Sequence, residues 1–316
     1  MRNIRISRSS KRFSGNRTLG GIAVACAFLL LHGTSNAGTR GDSQQVPKPV
    51  SQCGKLDVSG SLYVLTSDIT AAGGGDCLVI SGHNIVLDLH GFSITGPGGS
   101  SSGTGIHIED VSVDTSIEGY NAFVNSFEYG VDDQGLRTRG DDLNFGDGTR
   151  SGSNVVGLYM HGDNSSDWAN LSFEDDGIGA MVHCNSCFLE GFYAAKNTGD
   201  AVVVTGSATA SIDNFDAESN GGTGIHIGCP SGGGCINSGV NVYNGYSDSN
   251  VGDGIFLDAT EAASKDRVFN DGASDNAGVD LHDATNSCGA NFWFDNAAGT
   301  SKAESVSSPA CIALNP

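Results

Sequence analysis

Tyr129-Gly130-Val131-Asp132-Asp133-Gln134 sets a phenol, two carboxylates and an amide in one short segment, with Arg137, Arg139 and Asp141-Asp142 close behind. Mixed clusters of this kind can shift pKa values toward acid or base duty. They also occur as plain solvated ion pairs. The stretch from Glu128 to Arg150 is therefore expected to be a special loop. Further along, His161 and His183 supply imidazoles, which titrate near neutral pH. Tyr129, Asp132 and His161 together suit removal of a weakly acidic C–H proton, with Arg137, Arg139 or a bound cation neutralising the adjacent charge. Gln134 cannot act as a base at neutral pH, so a histidine is the better candidate.

These residues ride on a repeated phrase: a small residue, an aliphatic one, a free position and another apolar residue. It reads Gly105-Ile106-His107-Ile108, Gly157-Leu158-Tyr159-Met160, Ala201-Val202-Val203-Val204, Gly224-Ile225-His226-Ile227, Gly254-Ile255-Phe256-Leu257 and Gly278-Val279-Asp280-Leu281. Looser copies stand at Gly130-Val131 and Gly179-Ala180, and successive copies are 22 to 30 residues apart. Repetition at such a period means a solenoid, whose repeats bury their apolar faces only by stacking. The windows between phrases lack helical spacing and are rich in Gly, Ser, Asn and Asp, which are poor in helix interiors. Runs such as Ile85-Val86-Leu87-Asp88-Leu89 read as strands. A coil of about 22 residues accommodates three short strands, and parallel crossovers are right-handed. The expected fold is all-β, a single-domain right-handed parallel β-helix over residues 53–316 with disulfide-closed ends.

Alternation along a strand turns the aliphatic residue of each phrase inward and the next one outward. The first outward column is then His107, Asp132, Tyr159, Met181, Val203, His226, Phe256 and Asp280. Two positions on, the column reads Glu109, Gln134, His161, His183, Thr205, Gly228, Asp258 and His282. Coils stack about 4.8 Å apart, close to the repeat of a sugar chain, and aromatic or planar polar side chains suit carbohydrate. His107, Tyr159, His183, His226 and Phe256 are the expected substrate contacts. The plainer alternative is that outward positions are wet and accept any residue. Asn197, Asn220 and Asn250 each lie four residues before a phrase, and Asn276 lies two before. They fit a stacked amide ladder, or simply the preference of Asn for turns.

Residues 1–37 read as a signal peptide: six basic residues precede an apolar run from Gly20 to Leu31, and Ser35-Asn36-Ala37 offers a cleavage site. That run is short for a membrane span, so a secreted or periplasmic protein without a membrane span is expected. Residues 38–52 read as a flexible linker. Lys and Arg total 16 against 36 Asp and Glu, a net charge of −20. The leader holds six of those cations, so the remainder is more acidic still. Such a surface repels nucleic acid and anionic membranes. No cofactor signature is evident, and calcium remains open as a bridging cation. Eight of the nine cysteines follow the leader, and an even number in an exported chain implies disulfides. Proximity favours Cys53 with Cys77, Cys184 with Cys187, Cys229 with Cys235, and Cys288 with Cys311, the last capping the C-terminal end. Cys184-Asn185-Ser186-Cys187 after His183 could instead be a redox or metal motif.

The repeat, the run from Ile85 to Ile94 and the asparagine positions resemble the exported pectin-lyase-like β-helix superfamily, including its NosD-like periplasmic members, over roughly residues 53 to 290. That resemblance implies a fold, and one fold hosts many functions. Tyr129 to Gln134 resembles the Tyr-Gly-hydrophobic-Asp-Pro-His motif of mannuronan C5-epimerases, which would place Tyr129 and Asp132 at catalytic positions. Asp133 and Gln134 stand where that motif has proline and histidine. No Gly-His-Gly accompanies Asp132-Asp133 or Asp175-Asp176, so the paired-aspartate site of polygalacturonases is not recognisable. Two classes of function follow. One is binding or processing of extracellular polysaccharide or cell-surface glycan, as a lyase or uronate C5-epimerase-like enzyme if catalytic. The other is a non-catalytic periplasmic or cell-surface scaffold.

Overall fold

The computed structural model describes residues 46–98, 103–146, 152–162, 165–207, 209–228, 237–258, 265–284, 291–299 and 312–314. Among them every regular element is a strand, and the chain is a parallel β-solenoid. One sheet has ten strands, one from each coil, and includes Tyr129–Asp133, Val156–Gly162 and Ile178–Cys184. A nineteen-strand sheet takes two strands from most coils, for example Asp167–Ala169 and Ser172–Glu174. Its corner is turned by residues with positive φ, among them Asn170, Asn214, Asn244 and Asn270. Asn tolerates that conformation because its short polar side chain can bond locally.

The apolar column of the phrase forms the spine of the core. Leu78, Ile106, Val131, Leu158, Ala180, Val202, Ile225, Ile255 and Leu281 stack in register, all fully buried. Full burial of each larger aliphatic side chain contributes about 1.5–3 kcal/mol. The small residue of the phrase is required by backbone proximity. A Cβ on Gly130 would lie 2.5 Å from the carbonyl oxygen of Gly157, and one on Gly157 would lie 2.6 Å from that of Gly179.

The asparagines form a continuous ladder. Nδ2 of Asn197 donates to Oδ1 of Asn220, Asn220 to Asn250, and Asn250 to Asn276, at 2.9 to 3.0 Å. Each amide also donates to a backbone carbonyl of the preceding coil, as Asn220 does to Ala194 at 3.1 Å. Asn154 and Asp176 extend the ladder toward the N-terminus, and Asp280 receives its last donor, Asn276. Those members lie three residues before their phrase, or outside the expected column, and the sequence reading missed them.

Three expectations need correction. In the final phrase Leu281, not Val279, stacks on Ile255, and Asp280 occupies the small-residue column, its carbonyl 2.4 Å from where a Cβ on Gly254 would sit. His282 therefore replaces Asp280 in the outward column beside Phe256. The ordered coils also begin earlier than residue 53, since Lys48–Val50 pairs with Leu62–Leu65 inside the segment read as a linker. Finally, the described part of Glu128 to Arg150 is not a loop but two strands, Tyr129–Asp133 and Arg139–Phe145, joined by a turn.

Cys53 is bonded to Cys77 and Cys184 to Cys187. The first pair ties together the strands at the N-terminal end of the ten-strand sheet. The second joins the two cysteines of the CxxC, the disulfide alternative for that segment. The Cys229–Cys235 and Cys288–Cys311 pairings, and the signal peptide, lie outside the described residues.

Candidate functional site

Strand alternation divides the carboxylate-rich segment. Asp132 faces out between His107 and Tyr159 of the neighbouring coils. Its neighbour Asp133 turns into the core, fully buried, accepting hydrogen bonds from the Gly135 amide, the Thr138 hydroxyl and the Trp168 indole. Burial raises the Asp133 pKa, and those hydrogen bonds oppose the rise. Asp133 is thus a structural carboxylate that satisfies a buried indole.

Asp132 is itself 8% exposed, covered by its neighbours although it points outward. Oδ2 of its carboxylate lies 3.1 Å from Nδ1 of His107 and accepts from Nε2 of Gln134 at 2.8 Å. Oδ1 is buried with no hydrogen-bond partner among the described residues. The bond to Asp132 raises the His107 pKa against the opposing effect of burial, with Asp76 and Glu109 adding to the rise. The contact therefore favours the protonated imidazole of His107.

A row of rings starts beside this pair. Tyr129 stacks on Tyr159 with centroids 5.4 Å apart, Tyr159 stacks on His161 at 4.8 Å, and His161 meets the edge of His183 at 5.8 Å. His161 and His183 are direct cross-strand neighbours. They line a cavity of about 200 Å³ with Gly162, Cys184, Asn185 and Gly206. Glycine is needed at 206, with φ +61° and a position where a Cβ would lie 2.9 Å from the His183 ring. Burial raises the pKa of both phenols, with nearby charges including Asp132 adding to it. Both tyrosines are accordingly proton donors rather than phenolates.

Arg137 is not part of this constellation. Its guanidinium makes two 2.7 Å bonds to the carboxylate of Asp114 at the exposed turn, so the expected charge-neutralising role has no support in its geometry. His107, not Arg137, is the basic side chain in contact with Asp132.

His226 and Phe256 lie on the same sheet, separated from Tyr159 by Met181 and Val203. Phe256 is sandwiched between His226 at 5.0 Å and His282 at 4.7 Å. Each of these histidines is held by an aspartate of the preceding coil: Nδ1 of His226 is 3.1 Å from Asp200 Oδ2, and Nδ1 of His282 is 2.6 Å from Asp253 Oδ2. The other oxygen of each aspartate accepts the backbone amide of Thr223 or Val279. Burial would raise the Asp253 pKa, but His282 and the Val279 amide carry it below its ordinary value. Asp200 and Asp253 were not singled out from the sequence. Their signal is a Gly-Asp pair two residues before the core aliphatic, one coil ahead of a histidine; Gly75-Asp76 precedes His107 in the same way.

A larger concavity of about 510 Å³ lies on the nineteen-strand sheet, lined by Glu118, Tyr120, Arg139, Asp141, Asp142, Asp167 and Glu190 among others. Size alone does not make it the better site. Its polar groups pair locally at the surface, Tyr120 with Glu118 and Asn170 with Asp141, whereas the ten-strand sheet presents a buried carboxylate oxygen without a partner. Among the described residues no group of three or more His, Cys, Asp or Glu side chains could hold a metal. No described helix is long and apolar enough to cross a membrane.

The fold is that of a right-handed parallel β-helix. Among solved structures the chain is similar to the Dettilon tailspike protein, at 13% identity and TM-score 0.59, over 80% of this chain and 55% of the tailspike. It is also similar to the enzymatically active domain of tailspike protein 2 of bacteriophage CBA120, at 19% identity and TM-score 0.54, over 81% of this chain and 41% of that one. The periplasmic alginate epimerase AlgG is more distant, at 12% identity and TM-score 0.44 over 85% and 75% of the two chains. The chain spans about half the length of the tailspike structures it matches. No family model matches the sequence. No curated protein matches it either.

Proposed function

We propose that this chain is an exported β-helix protein that binds polysaccharide along its ten-strand sheet and processes it beside Asp132. The observation carrying the proposal is the unpartnered, buried Oδ1 of Asp132 at the head of the Tyr129–Tyr159–His161–His183 row. A buried acceptor without a partner costs about 1–3 kcal/mol, and a sugar hydroxyl would satisfy it while the rings cover the apolar faces of adjacent sugars. The similarity to a tailspike domain described as enzymatically active supports a fold able to carry such a site. The leader pattern, together with two disulfides that persist only in an oxidising compartment, supports a secreted or periplasmic location.

In the catalytic form of this reading, His161 takes the proton from sugar C5, and the His107 imidazolium stabilises the charge that develops on the neighbouring carboxylate. A protonated phenol, Tyr129 or Tyr159, then returns a proton, either to C5 from the opposite face or to the departing C4 oxygen. The second reading is a non-catalytic scaffold. It draws its support from Asp133 and Gln134, which stand where the epimerase motif has proline and histidine.

A glycan array combined with an assay for unsaturated uronate products and for solvent-proton incorporation at C5 tests the proposal. Binding with either product supports processing, and binding alone leaves the scaffold reading. Failure to bind any polysaccharide on the array refutes both the site and its substrate class.

A further inference from the structure

The nineteen-strand sheet turns an aromatic trough to solvent far along the chain from Asp132. Strands Asn241–Tyr243, Arg267–Phe269 and Phe292–Ala298 stack in register, and alternation sends Val242, Val268 and Trp293 into the core. Two outward columns remain: Asn241, Arg267 and Phe292 in one, Tyr243, Phe269 and Phe294 in the other. Successive rings of the second column are parallel to within 3°, with centroids 4.9 Å apart. Between the columns lies a cavity of about 420 Å³ lined by Asn241, Arg267, Phe269, Phe292 and Phe294. It opens to water, since Phe292 is 51% and Phe294 42% exposed.

Arg267 is unlike the other cations of this acidic chain. Lys55, Arg137 and Lys196 each lie against a carboxylate, whereas the exposed guanidinium of Arg267 has no hydrogen-bond or ion-pair partner among the described residues. Arginine stays protonated in proteins, so a fixed positive charge stands among three phenylalanines. Charge and shape together define the occupant. The fork of N–H donors matches a carboxylate two-fold. The rings suit an apolar body that carries polar groups at its rim, as a sugar does, and their 4.9 Å step is close to the repeat of a sugar chain. An acyl chain would leave Asn241 unused and its own outer side in water, because the trough is open.

We propose that this trough is a second glycan-binding surface, selective for sugars that carry a carboxylate, with Arg267 taking the carboxylate, Asn241 a hydroxyl, and Phe292 and Phe294 the C–H faces. The ligand class rests on the polysaccharide reading of the ten-strand sheet, but no residue is shared with that site. An exposed ion contact contributes less than a buried acceptor that gains its missing partner. The trough is therefore the weaker of the two surfaces, and it holds the polymer rather than acting on it.

The test is NMR titration of the full chain with tetramers of galacturonate and of mannuronate, and with maltotetraose as the neutral counterpart. The signals followed are the Phe292 and Phe294 rings, the Arg267 Nε–H, and the His161 and His183 rings. The expected result is that an acidic tetramer shifts the trough signals and maltotetraose does not. Arg267→Gln should weaken that response about fivefold, and Phe292→Ala should weaken it too. Lys265→Gln, which removes the same charge outside the trough lining, should leave it unchanged. Arg267 and Phe292 are both exposed, and circular dichroism establishes that the variants are folded. Shifts at His161 and His183 without shifts in the trough would overturn the inference and leave the ten-strand reading standing. Shifts in the trough alone would support it and count against the ten-strand site. No response in the trough to either acidic tetramer, an equal response to maltotetraose, or an unchanged response in folded Arg267→Gln would each overturn it. So would ring shifts that follow protein concentration without sugar, which would make a second copy of the chain the occupant.

Discussion

Nδ1 of His107 lies 3.1 Å from Oδ2 of Asp132 on the next coil, while Oδ1 of the same carboxylate is buried and unpartnered. One oxygen is thus committed to the scaffold, and the other has no hydrogen-bond partner among the described residues. This division makes Asp132 the centre of the functional account.

The pair has a signature in solution. Hydrogen bonding to Asp132 raises the His107 pKa in the folded state, so its stabilisation is complete below the unfolded value of about 6.5 and is lost as pH rises through the folded pKa. NMR titration should place the His107 midpoint above that value. In Asp132→Asn the midpoint should fall, because the hydrogen bond that dominates the rise is weakened.

Burial pushes Asp271 up to about 7. A carboxyl raised in the folded state stabilises the protein below its unfolded pKa of about 3.9 and loses that contribution as pH climbs toward the folded value. The thermal midpoint should fall between about pH 4 and 7, and the fall should be shallower in Asp271→Asn, as measured by scanning calorimetry.

The asparagine ladder should behave as a structural unit. Asn220 accepts from Asn197 and donates to Ala194 and Asn250. Replacing it by Ala should cost about 1–3 kcal/mol for each group left unpaired, read from chemical denaturation. The exposed Val251→Ala should change stability by less than about 0.5 kcal/mol.

Register at the last phrase is open to the same kind of test. Leu281→Asp places a charge in the fully buried column and should abolish soluble expression. Val279→Asp, on the partly exposed neighbouring column, should still yield folded protein.

Sequence conveyed the spine of this fold because each coil must supply one aliphatic residue at one place, from Ile106 to Ile255. It misled at the last coil because Gly278 imitates the small residue of the phrase. The better guide there was the amide ladder: the four-residue step seen from Asn197, Asn220 and Asn250 leads from Asn276 to Asp280, the position the structure assigns. The site was only partly legible. Asp132 and Asp133 look like a pair in sequence, yet alternation sends one to the outer face beside His107 and the other to the Trp168 indole. Arg137 looked available because its partner, Asp114, belongs to the previous coil. Stacked neighbours on the ten-strand sheet lie a variable 22 to 30 residues apart, so side-chain partners across coils cannot be read from spacing until the register is fixed.

The most direct test of the central claim is polysaccharide binding, by array and then calorimetry, to wild type and to the double variant Asp132→Asn, His161→Ala. The account predicts that the double variant loses binding, and any turnover, by at least tenfold while keeping its circular-dichroism spectrum. Undiminished binding by the folded double variant would contradict the account and place the glycan surface elsewhere on the solenoid.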